Sequence, residues 1–312
     1  MTATARANTA QDLARQVLRV RLGLMLVNEG LKAKEFRVPV HLALGHEAIA
    51  VAVGAAMRDG DSLYLTHRNI HYNIARAETL AAEIAELRLT PAGIGGGSLG
   101  SMNMSNPARG IAYTSSILGN DLCVAAGAAL AETVLGSGAV PFVVTGDGAL
   151  EEGVFFETLE FARSVQAPLV VVVENNDWSL ATRTAERRCP IHVDRIAASF
   201  DLAYRRLSGN DVAAYAAALS VLRDLALAQK RPVVVEVDLM TLGDWRMPHP
   251  DFPEGKHINY HHGAAPEVSP SDWPVIRDTD EDPVFALTHR HDGDWLRAEA
   301  SALLGSLRGE LA

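Results

Sequence analysis

The chain has 312 residues, of which 48% are hydrophobic and 21% are charged, so it is long and apolar enough to bury a large core. Its formal net charge of −10 argues against a basic surface for nucleic acid, although backbone amides and single arginines can still hold a small anion. With only two cysteines, Cys123 and Cys189, it has neither a disulfide framework nor a zinc site, which predicts a reducing, cytoplasmic location. The polar N-terminus and the short apolar runs predict no signal peptide and no membrane span.

The first part of the chain is predicted to be mainly helical. Apolar residues recur at helical spacing over 11–31, the stretch 45–57 is typical of a buried helix rich in small residues, and 78–88 is amphipathic. The glycine-rich stretch 91–107 predicts a loop whose backbone something must approach. A helix of alanine and glycine follows over 119–132, and its small side chains suit a tight interior or a subunit contact.

The middle of the chain predicts two buried parallel strands joined by a helix. Residues 139–146 and 167–176 are short, β-branched and apolar throughout, as in central strands covered on both faces. Residues 151–165 between them predict a helix that opens with two acidic residues, which suits its N-terminal dipole. We expect this strand–helix–strand unit to be a right-handed crossover.

The last part of the chain predicts a helix over 211–229, a third strand over 231–240 and a closing helix over 294–311. Between strand and closing helix, the histidine- and proline-rich stretch 243–266 is predicted to be a long functional loop or an interface arm.

No internal repeat and no linker divides the chain, so we predict a single domain over 1–312. Its fold class is α/β, with a mostly parallel central sheet flanked by helices. We expect an N-terminal helical extension over 1–40 and a C-terminal loop and helix arm over 241–312.

Polar residues follow two of the predicted strands at their carboxyl ends. Gly-Asp-Gly at 146–148 ends one strand and Asn-Asn at 175–176 ends the next, with 26 residues between the two motifs. Parallel strands bind ligands at this edge, so we expect Asp147 and Asn176 to lie near one another. Together with a backbone carbonyl they offer hard oxygen ligands, and Mg²⁺ is usually held by one carboxylate plus substrate phosphates. The amides that open the next helix can donate to the same phosphates.

Three other interpretations of residues 146–148 are disfavoured by the sequence. A dinucleotide-binding fingerprint fails because Glu151 stands at the third glycine position, and a calcium-binding loop fails because the alternating acids are absent. A plain Asp-Gly hairpin turn is common, but the Asn-Asn at 175–176 and the flanking strands disfavour it.

The sequence resembles the alpha subunit of the first component of thiamine diphosphate-dependent 2-oxo acid dehydrogenases. The resemblance rests on Gly-Asp-Gly followed after 26 residues by Asn-Asn, and it runs over residues 35–240 in the family's order. Four further segments carry it, namely HLALGHEAIAVAVGAAM (41–57), THRNIHYNIAR (66–76), GIGGGSLGSMNM (93–104) and SSILGNDLCVAAGAALA (115–131).

The resemblance implies thiamine diphosphate and Mg²⁺ as cofactors and assigns a set of residues to them. The set comprises Arg68, Ser116, Leu118, Gly146, Asp147, Gly148, Ala149, Asn176 and Trp178. Asp147, Asn176 and the carbonyl of Trp178 are the implied Mg²⁺ ligands. Arg68 and the amides after Asp147 would meet the diphosphate. Ser116 and Leu118 would hold the aminopyrimidine, with Leu118 helping to enforce the bent cofactor.

Five histidines are candidate catalytic residues: His41, His67, His71, His261 and His262. The resemblance places His41 near the thiazolium. His67 and His71 flank Arg68 and suit either acid–base chemistry or diphosphate contacts. His261 and His262 act on substrate or are exposed loop residues.

The chain departs from the family in three places. His67 stands where the family has tyrosine, and Ile70 stands where it has histidine. After the third strand, LMTLGDWRMPHPD replaces the family's Tyr-Arg-x-His-Gly-His, while NYHHGAAP (259–266) resembles a His-Gly-Ala-Pro element of transketolases.

The resemblance also implies a partner. Cofactor activation in this family needs a glutamate from a separate pyrimidine-binding domain, for which the chain has no room. We therefore expect a beta-type subunit that carries this domain and its activating glutamate, with two copies of each chain. The helix over 120–134 and the loop over 93–107 are the expected surfaces for this assembly.

The implied reaction is decarboxylation of a 2-oxo acid with transfer of the acyl or aldehyde unit. A lipoyl acyltransferase would be the acceptor if the protein works in a dehydrogenase complex. A split transketolase-like or acyloin-forming carboligase subunit is the alternative, favoured by the histidine-rich segment. A noncatalytic cofactor-binding scaffold is a second alternative, disfavoured by Asp147, Asn176 and Arg68.

Two further expectations concern side chains outside these motifs. We expect Cys123 to lie in the core, because it replaces an apolar residue in a helix. Arg183, Arg187 and Arg188 follow the Asn-Asn motif and either attract an anionic substrate or lie on a solvated loop.

Overall fold

The structure is a computed structural model that describes residues 9–243, 245–258 and 262–312. Its helices are α1 (Ala10–Lys32), α2 (Glu47–Ala56), α3 (Ile70–Arg76), α4 (Leu80–Leu87), α5 (Asn120–Leu135), α6 (Gly153–Ser164), α7 (Thr184–Arg187), α8 (Val193–Ser199), α9 (Val212–Gln229), α10 (Pro283–Leu287) and α11 (Gly293–Leu311). Its strands are β1 (Leu63–Thr66), β2 (Ile111–Ser115), β3 (Phe142–Gly146), β4 (Leu169–Asn175), β5 (Trp178–Ser179), β6 (Thr182–Arg183), β7 (Ala203–Leu207), β8 (Pro232–Asp238), β9 (Trp245–His249) and β10 (Phe252–Ile258).

The central sheet has six strands in the order β2-β1-β3-β4-β8-β7, and every pair in it is parallel. This confirms the predicted α/β class with a mostly parallel sheet. The predicted strands are β3, β4 and β8, and they lie together in the middle of the sheet, where both faces are covered. Helices cover them because parallel strands need crossovers that return over a face of the sheet.

Side chains of β4 alternate between two hydrophobic cores. Val170 and Val172 pack in the core that contains α1, α2 and α9, while Val171 and Val173 pack against α5 and α6 on the other face. The period-two alternation of a strand sends neighbours to opposite faces, so an all-valine strand fits only between two apolar layers. The uniform apolar pattern that predicted a central strand therefore has its physical cause here.

The predicted helical extension and C-terminal arm pack on one another and on the sheet domain. Arg21 on α1 is fully buried, donating to Glu47 at the start of α2 and to Asp282 before α10. Its Nη1 also donates to the carbonyl of Pro274 at 2.8 Å. This ion cluster fixes the N-terminal end of α2, which lies beside the candidate site.

The stretch 243–266 was predicted as a loop or arm, and part of it is instead a β-hairpin. β9 and β10 pair antiparallel, with Trp245 opposite Ile258 and Met247 opposite Lys256. Pro248 lies within β9, which is possible because the hairpin is a separate two-stranded sheet whose strands have an open edge. The proline content therefore predicted too little regular structure.

The glycine-rich loop at 91–107 forms as predicted, and an internal anion approaches its backbone. Glu86 on α4 is buried, and its carboxylate accepts hydrogen bonds from the amides of Gly95, Gly97, Leu99 and Gly100 at 2.7–3.1 Å. Burial disfavours the charged form, but these four donors outweigh it and lower the pKa of Glu86. The loop is thus folded around a carboxylate of its own chain.

One described helix, α9, is long and apolar enough to cross a membrane by length and composition. In the fold it packs on α2 and on the sheet, with Tyr215, Leu219 and Ala226 buried.

Candidate active site

The two polar motifs meet at the carboxyl edge of the sheet. Gly146 at the end of β3 is in register with Glu174 near the end of β4, so Asp147 and Asn176 follow neighbouring strand ends. Asp147 opens a short 3-10 turn, Asp147–Glu151, that leads into α6. The juxtaposition expected from the spacing of the motifs is therefore present.

A cavity of about 300 Å³ opens at this edge and collects most of the predicted site residues. Those on its wall are His41, His67, Arg68, Ser116, Leu118, Gly146, Asp147, Gly148, Ala149, Asn176 and Trp178. They come from five separate chain segments, so the fold assembles a set that the sequence could only group by resemblance. Their individual roles stay predictions.

Asp147 is a buried carboxylate at the edge of this cavity, 2% exposed. Arg187 donates to its Oδ2 at 2.7 Å and Thr184 donates to the same oxygen at 3.2 Å. Burial raises the pKa of Asp147 above its usual value, although the guanidinium of Arg187 opposes this. A buried carboxylate of this kind favours a neighbouring cation.

The loop after the Asn-Asn motif places its arginines on acidic groups. Arg187 and Arg188 both donate to Oε1 of Glu151, at 2.6 and 3.0 Å, and Arg187 reaches Asp147 as well. Arg183 lies over the ring of Trp178, 5.2 Å from its centroid. The sequence predicted that these arginines either attract an anionic substrate or lie on a solvated loop. Arg187 fits neither expectation, because its guanidinium is bound to Glu151 and Asp147.

The carboxamide of Asn176 is held by hydrogen bonds at both its nitrogen and its oxygen. Its Nδ2 donates to Oγ1 of Thr241 at 3.1 Å, and its Oδ1 accepts from the amide of Trp178 at 3.1 Å. Trp178 belongs to the small hairpin β5–β6, which packs on the turn after Asp147. A Cβ atom at Gly148 would lie 2.9 Å from Oγ and 3.2 Å from Cβ of Ser179, so the absence of a side chain at Gly148 eases the approach of the hairpin.

Three of the candidate catalytic histidines lie together. The rings of His41 and His67 meet edge to face with centroids 4.6 Å apart, and His262 lies 5.8 Å from His41. His41 and His67 line the cavity, beside Arg68, whose guanidinium donates to the carbonyl of Leu42. The C-terminal segment thus reaches the histidines at the cavity.

His261 lies outside the described residues. His71 is fully buried and lies behind the cavity wall, with Nε2 3.3 Å from Oε1 of Glu174. Burial lowers the pKa of His71, so its neutral form is favoured. Although His71 is close to Arg68 in sequence, it does not lie on the wall of the cavity.

Sequence reasoning missed a buried polar group beneath the cavity. Glu174 accepts from the hydroxyl of Tyr72 at 2.8 Å, and Nδ1 of His46 lies 3.3 Å from its Oε2. Burial raises the pKa of Glu174, but His46 and His71 overcome this and hold that pKa well below its usual range. A signal was available, because Glu174 is a lone acid at the end of an apolar strand, directly before Asn-Asn.

The residues present fit a divalent cation with a diphosphate. Both hydrogen bonds that Asp147 makes within the described part of the chain reach Oδ2, so Oδ1 keeps its bonding capacity. Arg187, the present partner of Asp147, is itself a cation. The turn after Asp147 opens α6 with its amides at the cavity, and such helix starts favour phosphate oxygens.

Solved structures show what class of fold surrounds this site. The chain is similar in fold to a transketolase from Pichia stipitis, with a TM-score of 0.60 at 16% identity, over 96% of this chain and 44% of that one. A transketolase from Leishmania mexicana gives a TM-score of 0.56 at 15% identity, over 98% and 46%. The parallel sheet and its flanking helices are thus the fold that transketolases share.

The sequence assigns the chain to a family more specific than this shared fold. A model of the dehydrogenase E1 component family matches residues 20–247, and the chain belongs to this family. The family resemblance drawn from the motifs is therefore confirmed. The match ends before the His-Gly-Ala-Pro segment, which it leaves untested.

Two relatives give the family's range. The alpha subunit of the mitochondrial pyruvate dehydrogenase E1 component of Saccharomyces cerevisiae is 30% identical over 219 residues, 70% of this chain and 51% of that protein. The alpha subunit of the acetoin:2,6-dichlorophenolindophenol oxidoreductase of Bacillus subtilis is 35% identical over 176 residues, 56% and 53%. The chain spans about half the length of these relatives.

Proposed function

We propose that this chain is the alpha-type subunit of a thiamine diphosphate- and Mg²⁺-dependent enzyme that decarboxylates a 2-oxo acid and transfers the acyl or aldehyde unit. The observation that carries the proposal is the meeting of Asp147, Asn176 and Arg68 on the wall of one cavity at the strand ends. Membership of the dehydrogenase E1 component family supports the same reading.

In this proposal Asp147, Asn176 and the carbonyl of Trp178 hold Mg²⁺. Magnesium requires oxygen ligands in octahedral geometry and is usually shared between one or two carboxylates and substrate phosphates. Oδ1 of Asp147 makes no hydrogen bond within the described residues, and Asn176 is already fixed by two. A single negative charge among the ligands limits repulsion with the diphosphate.

The remaining cavity residues bind the anion and position the reacting groups. The amides of Gly148 and Ala149 and the guanidinium of Arg68 hold the diphosphate. Ser116 and Leu118 lie on the same wall and hold the aminopyrimidine. When bound, thiamine diphosphate supplies the electron sink for cleavage of the bond to the carboxylate. His41 and His67 lie in contact at the cavity and move protons to and from the substrate oxygen.

A beta-type partner is part of the proposal. Ile117 is 68% exposed and Leu118 44% exposed beside the cavity, and Val134, Leu135 and Phe161 are exposed on α5 and α6. Exposed apolar side chains beside a cavity and along the neighbouring helices are typical of a protein contact. Two copies of each chain, with the pyrimidine-binding domain and activating glutamate on the partner, would complete the site. Cys123 is exposed on α5, so its predicted place in the core was wrong and it lies on this surface instead.

The acceptor and the location belong to the proposal as well. A lipoyl acyltransferase would take the acyl unit if the subunit works in a dehydrogenase complex, and the similarity to a pyruvate dehydrogenase E1 component subunit supports this. Both cysteines are free and exposed, which supports a reducing, cytoplasmic location.

A carboligase is the second candidate, and one observation favours it. His262 lies 5.8 Å from His41, so the transketolase-like C-terminal segment reaches the histidines that would face the substrate. A carboligase would join the aldehyde unit to a second carbonyl without net oxidation. The scaffold alternative is disfavoured, because the proposed Mg²⁺ ligands and Arg68 are all present on the cavity wall.

The first test is an Asp147→Asn variant of the chain co-expressed with its beta-type partner. We expect Mg²⁺-dependent binding of thiamine diphosphate, followed by calorimetry, to weaken by more than the roughly 10- to 100-fold that loss of an outer-shell partner costs. Asp194→Asn is the matched control, because Asp194 lies on α8, is exposed and is not on the cavity wall. Unchanged binding in Asp147→Asn would remove the metal assignment.

The second test separates the candidate reactions in the same assembly. The dehydrogenase reading predicts CO₂ release from pyruvate or another 2-oxo acid together with reduction of an artificial electron acceptor. The carboligase reading predicts ketol products without reduction of that acceptor. If the assembly binds the cofactor and does neither, the scaffold reading is correct.

A further inference from the structure

We propose that Thr241 and His46 are positioning residues that set the orientation of the Asn176 carboxamide, and that buried Glu174 anchors them. This inference rests on the proposed role of Asn176 as a Mg²⁺ ligand. A continuous line of hydrogen bonds carries it: Asn176 Nδ2 to Thr241 Oγ1 at 3.1 Å, Thr241 Oγ1 to His46 Nε2 at 3.0 Å, and His46 Nδ1 to Glu174 Oε2 at 3.3 Å.

The direction of each hydrogen bond along this line is set by Glu174, which lies at one end of it. Glu174 is a carboxylate that only accepts, so Nδ1 of His46 carries a proton, and in the neutral imidazole Nε2 is then the acceptor. The hydroxyl of Thr241 has one proton, which it donates to that Nε2, and its oxygen then accepts from Nδ2 of Asn176. The amide nitrogen of Asn176 is thereby drawn to Thr241. Its oxygen is left for the other side of the group.

That orientation matters because only the oxygen of a carboxamide binds Mg²⁺. A flipped Asn176 would present an NH₂ group to the cation and repel it. In the described structure Oδ1 accepts from the amide of Trp178, which supports the same orientation from the opposite side. Among the described residues, Thr241 is the one side chain that accepts a hydrogen bond from Nδ2 of Asn176.

The backbone holds Thr241 in place from both directions. The amide of Leu242 donates to the carbonyl of Leu44 at 2.7 Å, and the amide of Leu239 donates to the carbonyl of Asn175 at 2.9 Å. Gly45 has a φ of +97°, and a Cβ there would lie 2.0 Å from the carbonyl oxygen of Met240. Only glycine at 45 therefore lets residues 239–242 lie against His46, and Thr241 is 4% exposed as a result.

A metal ion is the competing interpretation of the buried cluster. His46, His71 and Glu174 place one potential ligand atom each within 4.8 Å of one another. However, the carboxylate oxygens are taken by two imidazoles and by Tyr72, which donates at 2.8 Å. A carboxylate satisfied by three neighbours needs no further cation. We therefore assign the cluster to hydrogen bonding and make metal binding an outcome of the test.

The test compares Thr241→Val with Thr241→Ser in the full chain assembled with its beta-type partner. Valine has the shape of threonine without the hydroxyl, and serine restores the hydroxyl. With thiamine diphosphate saturating, we expect Thr241→Val to weaken Mg²⁺ about 10- to 100-fold and Thr241→Ser to return within a few-fold of wild type. At saturating Mg²⁺, we expect turnover to recover in Thr241→Val. Melting temperature without Mg²⁺ is measured in parallel, because a merely structural role would lower it without a selective loss of Mg²⁺ affinity.

A second pair of variants tests the next link. His46→Gln keeps one acceptor and one donor and should bind Mg²⁺ nearly as wild type does, whereas His46→Leu should resemble Thr241→Val. Equal Mg²⁺ affinities for wild type, Thr241→Val and His46→Leu would overturn the inference while leaving the proposed function intact. If wild type itself shows no Mg²⁺-dependent cofactor binding, the proposed function fails instead.

The competing metal is tested with Zn²⁺ alone, in an Asp147→Asn background that lacks the carboxylate ligand of the proposed Mg²⁺ site. We expect no stoichiometric Zn²⁺ binding by calorimetry. Binding of one equivalent that His71→Gln removes would assign the cluster to a metal and detach Glu174 from the line of hydrogen bonds.

Discussion

Arg21 and Arg187 each bind two carboxylates, and their surroundings separate a structural ion cluster from a functional one. Arg21 pairs with Glu47 and Asp282, whereas Arg187 pairs with Asp147 and Glu151. Arg21 is fully buried between elements distant in sequence, while Arg187 is 14% exposed at the end of the short helix α7. The pairing is similar in both clusters, so it is the surroundings that differ.

The two clusters differ in whether all the carboxylate oxygens already have hydrogen-bond partners. Asp282 accepts from the amides of Ile276 and Val284 in addition to Arg21, and Glu47 accepts from the amide of Gly45. The Arg21 cluster therefore has no room for a ligand. Asp147 has hydrogen bonds at Oδ2 alone within the described residues, and open space lies beside it. A buried carboxylate that its own chain leaves partly unsatisfied marks the site.

The largest effect should come from breaking the closed cluster. Arg21→Met leaves Glu47 and Asp282 buried without a cation, and removal of one partner from a buried ion pair costs about 3–5 kcal/mol. We expect urea unfolding to show a loss of this size. Arg187→Met is the comparison variant, and a smaller loss is expected because Arg187 is 14% exposed and Glu151, one of its two partners, is 31% exposed. Equal losses in the two variants would contradict the distinction between the clusters.

A smaller effect is expected for Glu86→Gln, since Glu86 is another saturated carboxylate. Loss of the charge weakens the four amide hydrogen bonds, but glutamine keeps one acceptor oxygen, so we expect a loss smaller than that of Arg21→Met and confined to the glycine-rich loop. Hydrogen exchange at the amides of Gly95 and Leu99 should accelerate at pH 7.

The same carboxylate predicts a pH dependence with a definite sign. Because the pKa of Glu86 is lowered in the folded protein, its contribution to stability is complete above the unfolded value of about 4.3 and is lost as pH falls toward the folded value. Wild type and Glu86→Gln should therefore converge in loop exchange, corrected for intrinsic rates, as the pH is lowered below about 4. A difference that persists unchanged at low pH would exclude the charge as its cause.

The smallest effect concerns the open cluster. Arg187 and a metal ion compete for Asp147, so Arg187→Gln should bind Mg²⁺ more tightly, by about fivefold, which corresponds to an ion pair of about 1 kcal/mol. Arg188→Gln is the matched control, because Arg188 binds Glu151 but makes no described contact with Asp147. Weaker binding in Arg187→Gln would show instead that this guanidinium assists the diphosphate.

Local patterns predicted the centre of the fold, whereas most of the residues on the wall of the cavity could be grouped only through the family resemblance. β3, β4 and β8 are apolar because both faces are covered, and a continuous apolar run is visible in the sequence. The edge strands β2 and β7 were missed, since each mixes exposed and buried residues over only five positions. β7 contains Arg205 and Arg206, both exposed, so its pattern does not indicate a strand.

The contacts that orient the site are invisible to such patterns because they join distant segments. His46 meets Glu174 across 128 residues and Thr241 across 195, and no periodicity links such positions. Cys123 illustrates the limit for helices. α5 is small and apolar nearly all round, so the sequence does not tell which of its sides faces the core.

The amides gathered on Glu86 have a consequence for any chain that approaches the glycine-rich loop. A loop with so many glycines would ordinarily lose much conformational freedom when it is ordered by a partner. Here an internal anion orders it at the folding stage, so an incoming subunit meets a preorganised surface. Association at this face would depend on complementarity of shape, with little entropy left to lose.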